Sequence, residues 1–328
     1  FDAAIEFGLF KGRINGSFEY YKKTTDGLIF SVPQPLSNGG TTGGGYTILK
    51  NVGQMYNKGI EAHLDADVIR TQKITWNVGV NATTVENRIT KMPDGQKEII
   101  SGTKKLAVGH SIYDFWLRDW QGVDPADGAA LYRADNGLAA GSRVRGAGDT
   151  VTINQNNGRF LYQGSAIPKV FGSITSSLKY SGFELNVLMS YQIGGKIYDA
   201  IYAGLMDNGA TYGSALHADA LKSWQKPGDI TNVPRMDNSK GGVFNAASSR
   251  WLIDASYFNI RNIGLSYTFN SLKIGGVTAN NTRFFLNAEN VMLFSERTGL
   301  NPQQAFSGVT SNAYPPSRVF SMGINVNF

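Results

Sequence analysis

The chain has 328 residues, among them 39 Gly, 18 Phe and 15 Tyr, and no Cys. Aromatics and glycine beside abundant Asn, Ser and Thr favour β-structure with long loops, and the lack of cysteine excludes a disulfide scaffold and a thiolate metal site. The formal charge of +6 suits an anionic surface, but no Lys/Arg block exceeds two residues, which argues against nucleic-acid binding; no apolar run of about 18 residues is present, which excludes a transmembrane helix and leaves a transmembrane β-barrel open.

The chain opens FDAAIEFGLF, with Phe1, Ala3, Ile5, Phe7 and Leu9 on one parity. It carries no initiator Met and no signal peptide, so a fragment, or the ordered part of a longer chain, is expected. Period-two alternation then predicts nine strands. They are Phe1 to Phe10, Ile14 to Lys22, Gly59 to Ile69, Ile74 to Ala82, Val170 to Tyr180, Phe183 to Tyr191, Tyr257 to Phe269, Thr282 to Asn290, and the C-terminal SRVFSMGINVNF. In the third, Ile60, Ala62, Leu64, Ala66 and Val68 face one way, and Glu61, His63, Asp65 and Asp67 the other.

The connections alternate strictly. KGR, RTQK, SG and the somewhat longer NSLKIGGVTAN are short; Lys23 to Lys58, Thr83 to Lys169, Gln192 to Ser256 and Val291 to Ser317 are long. One trimmed end and one elaborated end are the mark of an outer-membrane barrel, with short periplasmic turns and long extracellular loops. Segments of about 9–11 residues match a tilted bilayer crossing. Tyr20, Tyr21, Tyr180, Tyr191, Tyr267, Phe269 and Phe328 sit near strand ends, where aromatic girdles lie. Bacterial single-chain barrels have even strand numbers, so nine strands read as part of a larger wall.

The loops hold the chemical candidates. GTTGGGYTIL has glycines at 43 to 45 but no following Lys-Ser/Thr, so a flexible loop is expected rather than a phosphate cradle. His63, His110 and His217 have no His or Cys neighbour at metal spacing, and no metal site is expected. VDPADG puts Asp124 and Asp127 three apart; without the alternating ligand series of a calcium loop it reads as a turn. SIYDFWLRDW concentrates Tyr113, Phe115, Trp116 and Trp120 beside Arg118 and Asp119. Aromatic faces next to charged groups suit sugars or peptides, so Tyr113, Trp116, Arg118, Asp119 and Trp120 are the substrate-binding candidates. The competing reading is a small core for a long loop, and Trp224 and Trp251 share it.

Six blocks in order, NVGQMYNKGIE, SIYDFWLRDWQGVDPADGAALY, AIPKVFGSITSSLKYSGFELNVLMSYQIGGKIYD, DASYFNIRNIGLSYTF, NAENVMLFSERTGLNPQ and YPPSRVFSMGINVNF, together resemble the C-terminal half of the SusC/RagA family of TonB-dependent transporters. The resemblance spans nearly the whole chain. It implies an all-β fold: the last nine antiparallel strands of a 22-stranded transmembrane β-barrel, with residues 1–328 forming one C-terminal portion and the N-terminal plug and earlier strands lying outside it. Phe328 resembles the C-terminal aromatic assembly signal read by the barrel assembly machinery. Further implied are a location in the bacterial outer membrane among its lipids, a SusD-like surface lipoprotein lid, contact with TonB through the N-terminal part, and import of oligosaccharides or oligopeptides. No enzyme activity and no cofactor are expected. The alternatives are a passive porin or surface adhesin barrel, and a glycan-cleaving enzyme with two carboxylates in its loops.

Overall fold

The computed structural model describes residues 1–34, 37, 47–135, 139–145 and 149–327. Phe328 and the glycines at 43 to 45 lie outside the described residues. Among the described residues nine long strands form the main sheet: β1 (Asp2–Leu9), β2 (Ile14–Asp26), β3 (Gln54–Arg70), β4 (Ile74–Thr83), β5 (Val170–Tyr180), β6 (Phe183–Ile193), β7 (Tyr257–Ile274), β8 (Val277–Ser295) and β9 (Val319–Asn327). Spatial order follows sequence order, every neighbour is antiparallel, and a short strand, Glu86–Lys91, adds to the start of β3. The nine expected strands are these nine.

Their register explains why alternation was visible. Partners across a ladder share a face. One such row reads Leu9, Ile14, Ala66, Val78, Ser176, Val187, Ile263, Ala288 and Phe320. The row Trp76, Leu178, Leu185, Leu265, Leu286 and Met322 lies on the same face. Many of these side chains are uncovered; Met322 is 83 % exposed and Phe320 73 %. The opposite face carries Ser17, His63, Asn81, Ser173, Ser190 and Asn259 in one row. Polar side chains there join across strands: Asn77 Nδ2 donates to Asp65 at 2.8 Å, and Asn262 Nδ2 to Asn287 at 2.8 Å. A sheet with one continuous exposed apolar face and one hydrogen-bonded polar face belongs in a membrane, oily side to lipid.

Bulges keep the faces consistent. Phe258 and Ile260 face lipid, as do Ile263, Leu265 and Tyr267, because the register shifts between Ile260 and Asn262. One extra residue in β7 therefore resets the parity. Close strand approach needs glycine where aromatics lie flat. Gly172 pairs with Tyr191, and a Cβ there would sit 2.0 Å from the Asn81 carbonyl oxygen.

The structure corrects the strand ends. β2 and β3 pair beyond the expected limits, through Lys22 with Lys58 to Asp26 with Gln54. β7 and β8 run through the expected connection NSLKIGGVTAN and close at Gly275 and Gly276, with φ of 55° and 87°. Ser181 and Gly182 close the β5–β6 turn with φ of 46° and 86°. Both are the doubly left-handed turns that match strand twist. Past the bilayer a ladder continues on backbone hydrogen bonds alone, with no lipid face to impose alternation.

Buried hydrophobic packing lies in the long connections. One cluster joins Phe115, Leu117, Tyr198, Met206 and Trp251, with Val309 packed against it; it draws on three different connections. A second joins Phe30 and Val32 to Ile89, Met92 and Ile99. A third joins Ala130 and Tyr132 to Phe244 and Ala246. The loops are thus one folded assembly on the elaborated end of the sheet.

Candidate functional site

The connection between β4 and β5 builds two small sheets. The first orders Phe160–Ser165, Asp114–Arg118, Lys104–Ala107 and Glu98–Ser101; the second orders Trp120–Val123, Ala130–Arg133, Asp149–Thr152 and Ser142–Arg145. Asp114–Arg118 alternates. Phe115 and Leu117 are buried in the large loop cluster, while Trp116 and Arg118 stay half-buried on the other side.

That other side carries an aromatic–cationic stripe. The Arg118 guanidinium lies 4.5 Å over the Phe160 ring, and Phe160 stacks with Trp116 at 6.2 Å. Trp116 meets Tyr162 edge-on at 4.9 Å, and Tyr162 stacks on His110 at 3.6 Å. Lys105 Nζ sits 3.7 Å over Trp116 and pairs with Glu98 at 2.7 Å. Burial lowers the Arg118 pKa, and its Nε donates to the Gln155 carbonyl at 2.8 Å. The stripe offers flat apolar faces edged by cations, a surface for sugar rings or peptide planes.

The five sequence candidates are not gathered into one site. Trp116 and Arg118 share the stripe. Tyr113 is edge-on to Phe306 at 5.7 Å. Asp119 accepts from Arg133 Nε at 2.7 Å, and Trp120 Nε1 donates to Asn232 at 3.1 Å while Arg250 lies over its ring. Phe160, Tyr162, Lys105 and His110 complete the stripe; the first three escaped the sequence reading, and His110 was weighed there only as a metal ligand. The pairing of Asp114–Arg118 with Phe160–Ser165 on one side and with Lys104–Ala107 on the other brings Phe160, Tyr162 and Lys105 to Trp116; the alternation of Phe160 and Tyr162 was the one signal available.

The other loop candidates are structural. Asp124 accepts from the Ala126 N–H and Asp127 from the Ala129 N–H, and Arg143 pairs with both carboxylates. Arg143 holds the Asp127 carboxyl below its ordinary value. Trp224 donates to the Pro125 carbonyl and packs on Gly128, so VDPADG is a clamped turn. Trp251 is fully buried and donates to the Ala246 carbonyl at 3.1 Å. Among the described residues no group of three or more His, Cys, Asp or Glu could hold a metal ion. A recess of about 300 Å³ lies beside Asp199, Tyr202, His217 and Arg297. Arg297 Nε stands 2.9 Å from buried Asp199 as an ion pair, without hydrogen-bond alignment, and its guanidinium lies 3.5 Å over Tyr202.

No family model matches the chain. It is similar along its whole length to named receptors. TonB-dependent receptor P3 of Formosa agariphila is 24% identical over 353 residues, covering 100% of this chain and 34% of the receptor. TonB-dependent receptor P39 of the same organism is 27% identical over 369 residues, covering 99% and 35%. TonB-dependent receptor SusC of Bacteroides thetaiotaomicron is 25% identical over 345 residues, covering 100% and 31%. The chain is similar end to end to TonB-dependent receptors, SusC among them. Its place is the bacterial outer membrane. The fold agrees. The RagAB peptide importer in its closed-closed state superposes with a TM-score of 0.83 at 21% identity, over 100% of this chain and 35% of that one. The RagAB peptide transporter gives 0.82 at 19% identity, over 100% and 35%. The chain thus spans about a third of the length of the relatives it matches.

Proposed function

We propose that the segment is the C-terminal wall and loop assembly of a transporter that imports oligosaccharides or oligopeptides across the outer membrane, driven through TonB. Residues 1–328 supply one portion of a 22-stranded barrel, and a plug and earlier strands complete the working protein. A SusD-like lipoprotein closes over the loops, and the terminal Phe328 serves the assembly machinery. The observation that carries this reading is the pairing of a continuous lipid face with a polar inner face under a packed loop assembly, in a chain matched end to end by TonB-dependent receptors. The segment needs no covalent chemistry for this, in line with relatives named as receptors and transporters.

Substrate contact falls to the stripe led by Trp116 and Arg118. Tyr113, Asp119 and Trp120 act on it through loop shape, since the Tyr113 ring packs on Phe306 and the polar groups of Asp119 and Trp120 are already engaged. The test uses the full-length receptor with its lipoprotein in cells. Uptake of labelled oligosaccharide and oligopeptide pools is measured with and without TonB, and with Trp116→Ala. Import that needs TonB and drops about tenfold with Trp116→Ala, the loss expected for one stacked aromatic, supports the reading. TonB-independent uptake with open-pore conductance in a bilayer would assign the protein to the passive porins.

A further inference from the structure

The short turns carry more charge than a passive trimmed end requires. Lys11 and Arg13 stand in the β1–β2 turn, Arg70 and Lys73 in the β3–β4 turn, Lys179 before the β5–β6 turn and Lys273 before the β7–β8 turn. Antiparallel topology puts all four turns at the same end of the sheet. Two cations are already answered: Arg70 pairs with Asp67 at 3.3 Å and Lys179 with Glu184 at 3.5 Å. Lys11, Arg13, Lys73 and Lys273 are exposed and have no carboxylate partner among the described residues. The first two turns are also held together. The Asp67 N–H donates to the Arg13 carbonyl at 2.8 Å, and Arg13 Nη2 donates to the Arg70 carbonyl at 3.3 Å. Arg13, Arg70 and Lys73 thus form one local cluster rather than scattered charges.

The apolar belt runs directly into this rim. Phe10 is 71 % exposed in the first turn itself, and Val68, Tyr180 and Phe183 are exposed beside the next two. Phe10 and Lys11 hold φ of 53° and 58°, a conformation that bulky residues avoid. The turn keeps an aromatic and a cation side by side in that geometry. Such a pairing matches the edge of a leaflet, where acyl chains give way to phosphate within a few ångströms.

We propose that this rim binds the phosphate headgroups of anionic glycerophospholipids in the leaflet that meets the short turns. Two observations choose that occupant. The unpaired charge of the turns themselves is all positive among the described residues, and the surface is continuous with the lipid-facing belt, so any anion held there is held at the membrane edge. Ammonium and guanidinium groups both donate to phosphate oxygens, the guanidinium in forked fashion. The proposal rests on the membrane reading of the sheet and is independent of what the receptor imports.

The test takes the full-length receptor into nanodiscs of phosphatidylcholine, with or without phosphatidylglycerol. Retained lipid is counted by native mass spectrometry and the unfolding midpoint is recorded. The rim variant combines Lys11→Gln, Arg13→Gln, Lys73→Gln and Lys273→Gln. A charge-matched control combines Lys50→Gln, Lys97→Gln, Lys226→Gln and Lys240→Gln, exposed residues of the long connections. Wild type and control should retain phosphatidylglycerol and gain stability from it. The rim variant should lose about tenfold in retention, as removal of several near-surface cations implies, with its midpoint in phosphatidylcholine unchanged. A Lys11→Arg/Arg13→Lys/Lys73→Arg/Lys273→Arg variant should behave as wild type. Equal retention by the rim variant, or equal loss by the control, overturns the proposal. So does a rim variant that keeps its lipid but no longer sediments with peptidoglycan, which would give the surface to the cell wall. Substrate binding, measured in parallel, reports separately on the transport reading.

Discussion

At the scale of single residues, the molecule shows where a small change has a large effect. Gly172 sits under Tyr191, whose hydroxyl donates to the Asn81 carbonyl at 2.9 Å, and the same carbonyl would meet a new Cβ. A backbone oxygen cannot move aside without breaking the β4–β5 ladder. Gly172→Ala should therefore cost about 1–3 kcal/mol, read as a lower urea midpoint of the full-length receptor by its heat-modifiable mobility. Lys104 is a different case. Its ammonium lies 3.2 Å over the Phe115 ring and donates to the Tyr113 carbonyl, and burial pulls its pKa down to about 7. The unfolded chain keeps that proton to about pH 10.4. Between those values the unfolded state binds more protons, so stability rises with pH, and it is lowest below about pH 7. Hydrogen-exchange protection in residues 98–118, corrected for the base-catalysed intrinsic rate, should be lower at pH 6 than at pH 9, and Lys104→Met should remove most of that difference.

At the scale of elements, strands and loops obey different rules. The strands are held by their ladders and by lipid; the loops are held by cores. Trp251 fills the largest loop cluster, so Trp251→Ala should cost the loop assembly about 3–5 kcal/mol. Limited proteolysis should then cut within residues 196–254 while the β1–β9 hairpins survive in the membrane. The strands were legible because a membrane imposes a contrast between lipid and inner face on every second residue. Ile60 to Val68 in β3 show it plainly. The contrast stops at the bilayer edge, which is why the ends of β2, β3, β7 and β8 were drawn too short. The loop site was half legible. Trp116 and Arg118 could be picked by residue type, but Phe160 and Tyr162 lie far along the chain, and their meeting depends on a pairing that no local period announces. Nor could composition tell Asp119 from Arg118: one is spent on Arg133, the other edges the stripe.

At the scale of the whole molecule, the two faces of the sheet should answer mutation in opposite ways. Met322 is on the lipid face and Ser321 on the inner one. Met322→Lys should cost about 2–4 kcal/mol of membrane stability if it lies near the midplane, lowering the inserted fraction in bilayers. Ser321→Lys should leave insertion close to wild type. The loop clusters carry a further consequence, in the order of events during biogenesis. Phe115, Trp251 and Val309 share one core but are made at widely separated times. Closing such a contact needs most of the chain to be present, which makes the step slow. Until the segment around Val309 arrives, that core is incomplete, and partly covered aromatics invite aggregation. Loop closure therefore sets how soon these aromatics are fully packed, and a variant with shortened loops should aggregate less on refolding, measured by light scattering, than one with shortened strands.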